Sequence, residues 1–228
     1  MIETLPLLGP GDYAALAVLI LAWALTTARI EWHRTAKPSV SILMERYRRD
    51  WMAQMAARSD RAFDVLVLSN LRQGSAFFAS GSLVALGGVL ALAGNVEQIQ
   101  AVAGERPFLH AGPGVWQLKM VFAALLLTHA FLEFVWSNRL FGYCAVVVAS
   151  VPPGDGDWRA LDRAGKAASI NIRAAMHLNR GLRSVYFALA VLAWLIGWAA
   201  LVAAVLAVSW VLWWREFASE SRAALLED

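Results

Sequence analysis

Long uncharged runs, cut by short clusters of arginine, set the rhythm of this chain. Arg183 and Arg215 bracket 31 consecutive uncharged residues, Arg72 and Glu97 bracket 24, and Asp12 and Arg29 bracket 16. A helix crossing about 30 Å of hydrocarbon needs about 20 mostly apolar residues. The two longer runs therefore predict spans over residues 184–214 and 73–95, the former long enough to tilt. The shorter run predicts a span over 12–30, lengthened by Arg29, whose charge can snorkel to the interface. A further apolar stretch over 115–137 predicts the remaining span, although Lys119, His129 and Glu133 interrupt it.

The segments between spans carry a helical period of their own. Val40, Met44, Tyr47, Trp51 and Met55 recur at spacings of three and four, with Arg46, Arg48 and Arg49 off that stripe. Trp158, Leu161, Gly165, Ala168, Ile172 and Ala175 do the same beside Arg159, Arg163, Lys166 and Arg173, after a helix-breaking VPPGDGDW turn. Each predicts an amphipathic helix lying at the inner leaflet or packed on the bundle. After Arg139, the run LFGYCAVVVASV predicts a third helix that continues past the headgroups, its apolar face covered by the 158–180 helix.

Composition agrees: 59% of residues are hydrophobic and only 16% charged, and eleven Trp suit interfacial aromatic belts. The basic residues are sorted by segment, with nine of 20 in 29–72, seven in 139–183, Arg106 alone in 95–114 and none before residue 29. By the Lys/Arg rule, segments 31–70 and 139–183 are expected in the cytoplasm and both termini outside. A pI near 9.3 then reflects basic helices facing anionic lipid, with no nucleic acid as partner. The single cysteine, Cys144, excludes an internal disulfide and a Cys-based zinc cage. The leader MIETLPLLGPGDY lacks a basic n-region, so the first apolar run is expected to remain in the mature protein.

The starts of two spans echo each other. Asn70, Ser75, Phe78 and Ala79 align with Asn179, Ser184, Phe187 and Ala188, which suggests a parallel repeat of 1–95 and 115–214. Placed on the spans, Asn70, Arg72, Glu133, Asn138, Arg139, Asn179 and Arg183 fall at similar depth near the cytoplasmic lip, with His129 one turn deeper than Glu133. Ionisable groups within a membrane are costly and face a partner or a cavity. Two uses follow: a proton or ion site along a pathway, or hydrogen-bonded pins between helices, with Glu133 neutralised by Arg72 or Arg183. A metal site would need His177 as third ligand, and no cofactor is expected. No phosphate loop, nucleophile elbow or zincin motif is present.

Several short motifs run in a familiar order: R-x-x-W-M at Arg48–Met52, N-L-R-x-x-S from Asn70, F-x-W-S-x-R from Phe134 to Arg139, and His177-Leu-Asn179-Arg-Gly-Leu-Arg183 before Val-Tyr-Phe. Over nearly its whole length the chain resembles the four-span bacterial and plant membrane proteins of domain-of-unknown-function family 599. The resemblance implies fold and membrane location, and carries no catalytic residue with it. The sequence therefore predicts an all-α integral membrane protein with four transmembrane helices and two amphipathic cytoplasmic helices. Its expected place is the bacterial inner membrane, with both termini periplasmic. Four spans enclose little volume, so a homo-oligomer is expected. It would act as a channel or small-solute transporter gated at the polar ring, or alternatively as a structural or assembly subunit of a larger membrane complex.

Overall fold

A segment surrounded by lipid must satisfy every backbone N–H and C=O within itself, which leaves the helix as the form available to these apolar runs. The computed structural model describes residues 8–95, 112–152 and 158–227. Its helices are α1 (Pro10–Ile30), α2 (Val40–Ala57), α3 (Ala62–Gly94), α4 (Pro113–Ala149), α5 (Trp158–Leu192), α6 (Trp198–Phe217) and the short α7 (Glu220–Ala224). Four are long and apolar enough to cross a membrane: α1, α3, α4, and α6 together with α7. The protein is an all-α integral membrane protein. Most of the 95–114 connection and the centre of the VPPGDGDW turn lie outside the described residues.

With 33 and 37 residues, α3 and α4 extend about 50 and 55 Å at 1.5 Å per residue. Both therefore outrun a hydrocarbon core of about 30 Å. The contacts group the described residues into two units, one from 1–29, 81–130 and 182–215, the other from 30–80, 131–181 and 216–228.

In the first unit, Ala15, Leu19, Ala123, Leu127, Phe187 and Val191 form a buried core that continues to Leu201 and Val205. At one end of it, Trp194 is fully buried and its Nε1 donates to Asp12 at 2.5 Å. Lys119 Nζ donates to the Trp194 carbonyl at 3.0 Å and lies 3.5 Å from the Asp12 carboxylate. This cluster explains the main departure from expectation. Residues 184–214 do not form one helix: α5 ends at Leu192, a 3₁₀ turn covers Ala193–Leu195, and α6 begins at Trp198. The Lys119 ammonium holds a carbonyl at the break, where a cation favours a helix C-terminus, and Gly197 follows as a poor helix former. The Trp198 ring then packs so closely on Gly11 that a Cβ there would meet it at 2.9 Å.

The second unit is built on the far half of α4. Leu140, Phe141, Cys144 and Val148 pack against Ala160, Ala164, Ala167 and Ala168 of α5. So the run after Arg139 does continue as helix, with α5 across its apolar side. The face that α5 buries is turned from the expected stripe: Ala168 and Ile172 of that stripe are buried beside Ala160, Ala164 and Ala167, while Trp158, Leu161 and Gly165 are exposed. Alanine at every contact lets the two backbones approach closely, which the bulkier stripe would prevent. On α2 the buried face is turned as well: Glu45, Met52, Met55 and Ala56 point inward while Tyr47 is exposed. Polar partners account for that turn. Glu45 binds His33 at 2.9 Å and Arg49 at 3.0 Å, and Arg48 donates to the fully buried Asn171. Burial in turn lowers the pKa of the Arg48 guanidinium below its usual value.

The tail completes this unit. Glu216 accepts from the Ser41 amide at 3.0 Å and from its hydroxyl at 3.1 Å, placing a carboxylate at the N-terminus of α2, where the helix dipole favours it. Arg222 Nε donates to the Pro38 carbonyl at 3.2 Å. The C-terminal segment thus lies beside the basic 31–61 segment, at the Ile30 end of α1, while Asp12 lies at the other end of that helix. Residues 184–214, expected as one span, are divided between α5 and α6, and Arg215 of α6 returns to donate to Tyr186 Oη of α5 at 3.0 Å.

Candidate functional site

The polar residues of α4 sit four apart by design of the helix: His129 and Glu133 are one turn from each other and share a face. Each is held by a different partner. In the first unit, His129 Nδ1 lies 2.9 Å from Ser184 Oγ, and the same oxygen accepts from Trp23 Nε1 at 3.3 Å. The Trp23 and His129 rings meet edge to face with centroids 5.2 Å apart. One buried hydroxyl on α5 therefore joins α1, α4 and α5.

In the second unit, Glu133 Oε2 lies 2.5 Å from His177 Nδ1. Sequence reasoning looked to Arg72 or Arg183 to neutralise this carboxylate; the His177 imidazole stands against it, and, after hydrogen bonding to Glu31, the Glu133 charge also helps to raise the pKa of Arg180. The Trp136 and His177 rings meet edge to face, and the Arg139 guanidinium stands over the Trp136 ring at 5.8 Å while donating to Tyr143 Oη. Arg72 lies against Gly142, its Cζ 3.8 Å from where a Cβ would stand. Arg183 is buried in the first unit.

The asparagines act as clasps. Asn138 Nδ2 donates to the Arg72 carbonyl at 2.8 Å, and Ser75 Oγ donates to the same carbonyl, tying α4 to α3. Asn179 Nδ2 donates to Ser41 Oγ at 3.3 Å, joining α5 to the α2 start that Glu216 also caps. Ser137 Oγ donates to the Ala174 carbonyl at 2.8 Å, fully buried. Asn70 is exposed and lies on the α3 surface.

Two features escaped sequence reasoning. Glu31 forms a two-oxygen pair with Arg180, at 2.6 Å to Nη2 and 2.9 Å to Nε, and that hydrogen bonding raises the Arg180 pKa further. Asp12, Lys119 and Trp194 form the cluster at the α5–α6 turn. The signal for the second was in view, since Lys119 is a cation inside a span and must find a partner. For the first, nothing in the spacing of Glu31 and Arg180 links them. Among the described residues, no three His, Cys, Asp or Glu side chains come together in a group able to hold a metal ion.

A family model described as a protein of unknown function, DUF599, matches residues 14–221. No curated protein matches the chain, and no solved structure does.

Proposed function

For a chain that belongs to the DUF599 family over residues 14–221, we propose a structural role: a membrane scaffold that serves as an assembly subunit rather than as a channel. The supporting observation is the use made of the polar ring. His129, Glu133, Asn138 and Asn179 each spend a hydrogen bond on another helix or segment of this chain, and Arg139 spends one within α4. A filter or gate needs such groups turned together toward a water-filled path. Interhelical bonds of this kind instead hold a bundle in one arrangement.

The surface offered to a partner lies on the second unit. Val147, Leu161, Gly165 and Ile170 line a groove of about 580 Å³ edged by Arg173 and by Lys166, which pairs with Asp162 at 2.7 Å, and Trp158 stands 72% exposed at the start of the same helix. An apolar floor edged by Arg173 and the Asp162–Lys166 pair suits an amphipathic helix from another subunit, laid into it by its apolar face with an acidic side chain toward Arg173. The basic segments face the cytoplasm in this reading, with α2 and α5 near an anionic leaflet. Since the tail clasps α2, the C-terminus is cytoplasmic and the start of α1 is outside. Residues 184–195, about 18 Å of α5 and its 3₁₀ turn, then form a short fifth leg beside the four longer spans, with Lys119 and Asp12 bonded at its end.

Reconstituted vesicles test the choice. Proton and small-ion flux should equal that of empty vesicles, and Glu133→Gln should leave it there. Flux above the empty-vesicle level that Glu133→Gln removes would sink the proposal. On the assembly side, Leu161→Asp should strip a native-gel complex from solubilised membranes while helicity is unchanged.

A further inference from the structure

The first unit contains an apolar cavity closed at one end by the Trp23–His129–Ser184 pin. Leu19, Ile20 and Trp23 of α1 and Phe122, Leu125, Leu126 and His129 of α4 enclose about 330 Å³. That is room for about ten methylene-sized groups, taking each as close to the roughly 30 Å³ share of a water molecule. Its walls are aliphatic and aromatic. All seven residues belong to two of the helices that are apolar enough to cross the membrane.

Three observations say what fills it. The medium at this depth is lipid: Ile20 and Leu125, which line the cavity, are 51% and 59% exposed, and Leu21, Leu25 and Val121 extend the exposed apolar rim. An apolar cavity of this size does not hold water, which needs several polar partners, and unfilled volume costs stability in proportion to its size. One end is also fixed in advance. Trp23 and His129 are the lining residues nearest the Ile30 end of α1 and the Ala149 end of α4, and Ser184 holds both. The end wall is therefore part of the folded bundle and is not formed by side chains free to collapse inward.

We propose that this cavity is a binding site for one hydrocarbon chain of a bilayer phospholipid, seated between α1 and α4 with its length against Leu19, Phe122 and Leu126. It is a bound lipid position, distinct from the exchanging lipid that wets the rest of the apolar surface. It is independent of the scaffold reading, since it requires only that the two helices lie in the membrane.

The test uses the full chain in nanodiscs of a phosphatidylcholine bearing a diazirine midway along one acyl chain, with adducts mapped after irradiation. Adducts on 19–23 and 122–129 should exceed those on Leu83 and Val84, which are exposed on α3, by about tenfold, the ratio that a preference of about 1.4 kcal/mol produces. Leu126→Trp, which fills the space, should bring the cavity adducts down to the α3 level with helicity kept. Leu126→Ala, which enlarges the space, should retain or raise them and serves as the second variant if the indole disturbs folding. Equal labelling of both surfaces in the wild type would overturn the proposal, as annular lipid only. So would a cross-link between two copies through these residues, because a second chain would then be the occupant.

Discussion

One substitution, made twice on α5, should change sign with its surroundings. Gly165 and Gly181 both lie inside Trp158–Leu192, and replacing a helical glycine by alanine gains about 1 kcal/mol from backbone propensity alone. At Gly165 a Cβ would meet nothing within 4 Å, so Gly165→Ala should deliver that gain in full. At Gly181 the Cβ would stand 2.6, 2.7 and 2.9 Å from three atoms of the Phe134 ring. Phe134 is fully buried and stacked on Phe78 at 5.5 Å, so the ring cannot swing aside without disturbing α3. Overpacking of this kind costs about 1–3 kcal/mol. With contacts this short the upper half of that range applies, leaving Gly181→Ala less stable by about 1–2 kcal/mol after the propensity gain. For a chain of this size 1 kcal/mol moves Tm by about 2–4 °C. Thermal unfolding in one detergent, followed by circular dichroism, should put Gly165→Ala above wild type and Gly181→Ala below it. Adding Phe134→Leu to Gly181→Ala should recover part of the loss, a non-additive result because the two residues touch. If both glycine variants move in the same direction, the account of the α4–α5 contact is wrong.

The charged clusters give further tests. Lys119→Met leaves Asp12 without its cation and should cost about 3–5 kcal/mol, whereas Lys119→Met with Asp12→Leu should recover most of it, both read by unfolding in detergent. Glu216→Ala removes the carboxylate from the α2 N-terminus and should cost about 1–2 kcal/mol, seen also as faster proteolysis of the tail. With a membrane-impermeant maleimide on right-side-out vesicles, Asp50→Cys and Ser221→Cys should both be protected while Gly9→Cys reacts. Protection of Asp50→Cys together with reaction of Ser221→Cys would refute the return of the tail.

Where this fold was legible, the physics was one-dimensional. Spans expected at 12–30, 73–95 and 115–137 lie within one residue of, or inside, α1, α3 and α4, because bilayer thickness acts on runs of residues and a run can be counted. Faces were less legible. The period of α2 and α5 was clear, yet only part of each expected stripe is buried, Met55 on α2 and Ala168 and Ile172 on α5, since a buried carboxylate such as Glu45 and a row of small alanines outweigh the larger apolar side chains once a partner is specified. The candidate site was legible as a list and not as an arrangement. His129 and Glu133 are one turn apart, but one answers to Ser184 and the other to His177, residues 55 and 44 positions away, and helical period says nothing about partners at that range.

The 31-residue run shows where counting stops. A long uncharged run is equally a single tilted helix or a helical hairpin with a buried turn, because hydropathy sums over residues and ignores direction. The choice is made elsewhere in the chain. A turn at membrane depth leaves carbonyls that need donors, and Lys119, on a different helix, supplies one to Trp194 while Asp12 holds the indole. The residue that looked like an impurity in the third span is the one bonded at the break in the last. On the proposed topology the side on which the tail emerges follows from that break, which the arginine count that orients the loops does not register. Arg215 and Arg222 beyond the last apolar run agree with the tail's position beside α2, although two charges were too few to have argued it alone.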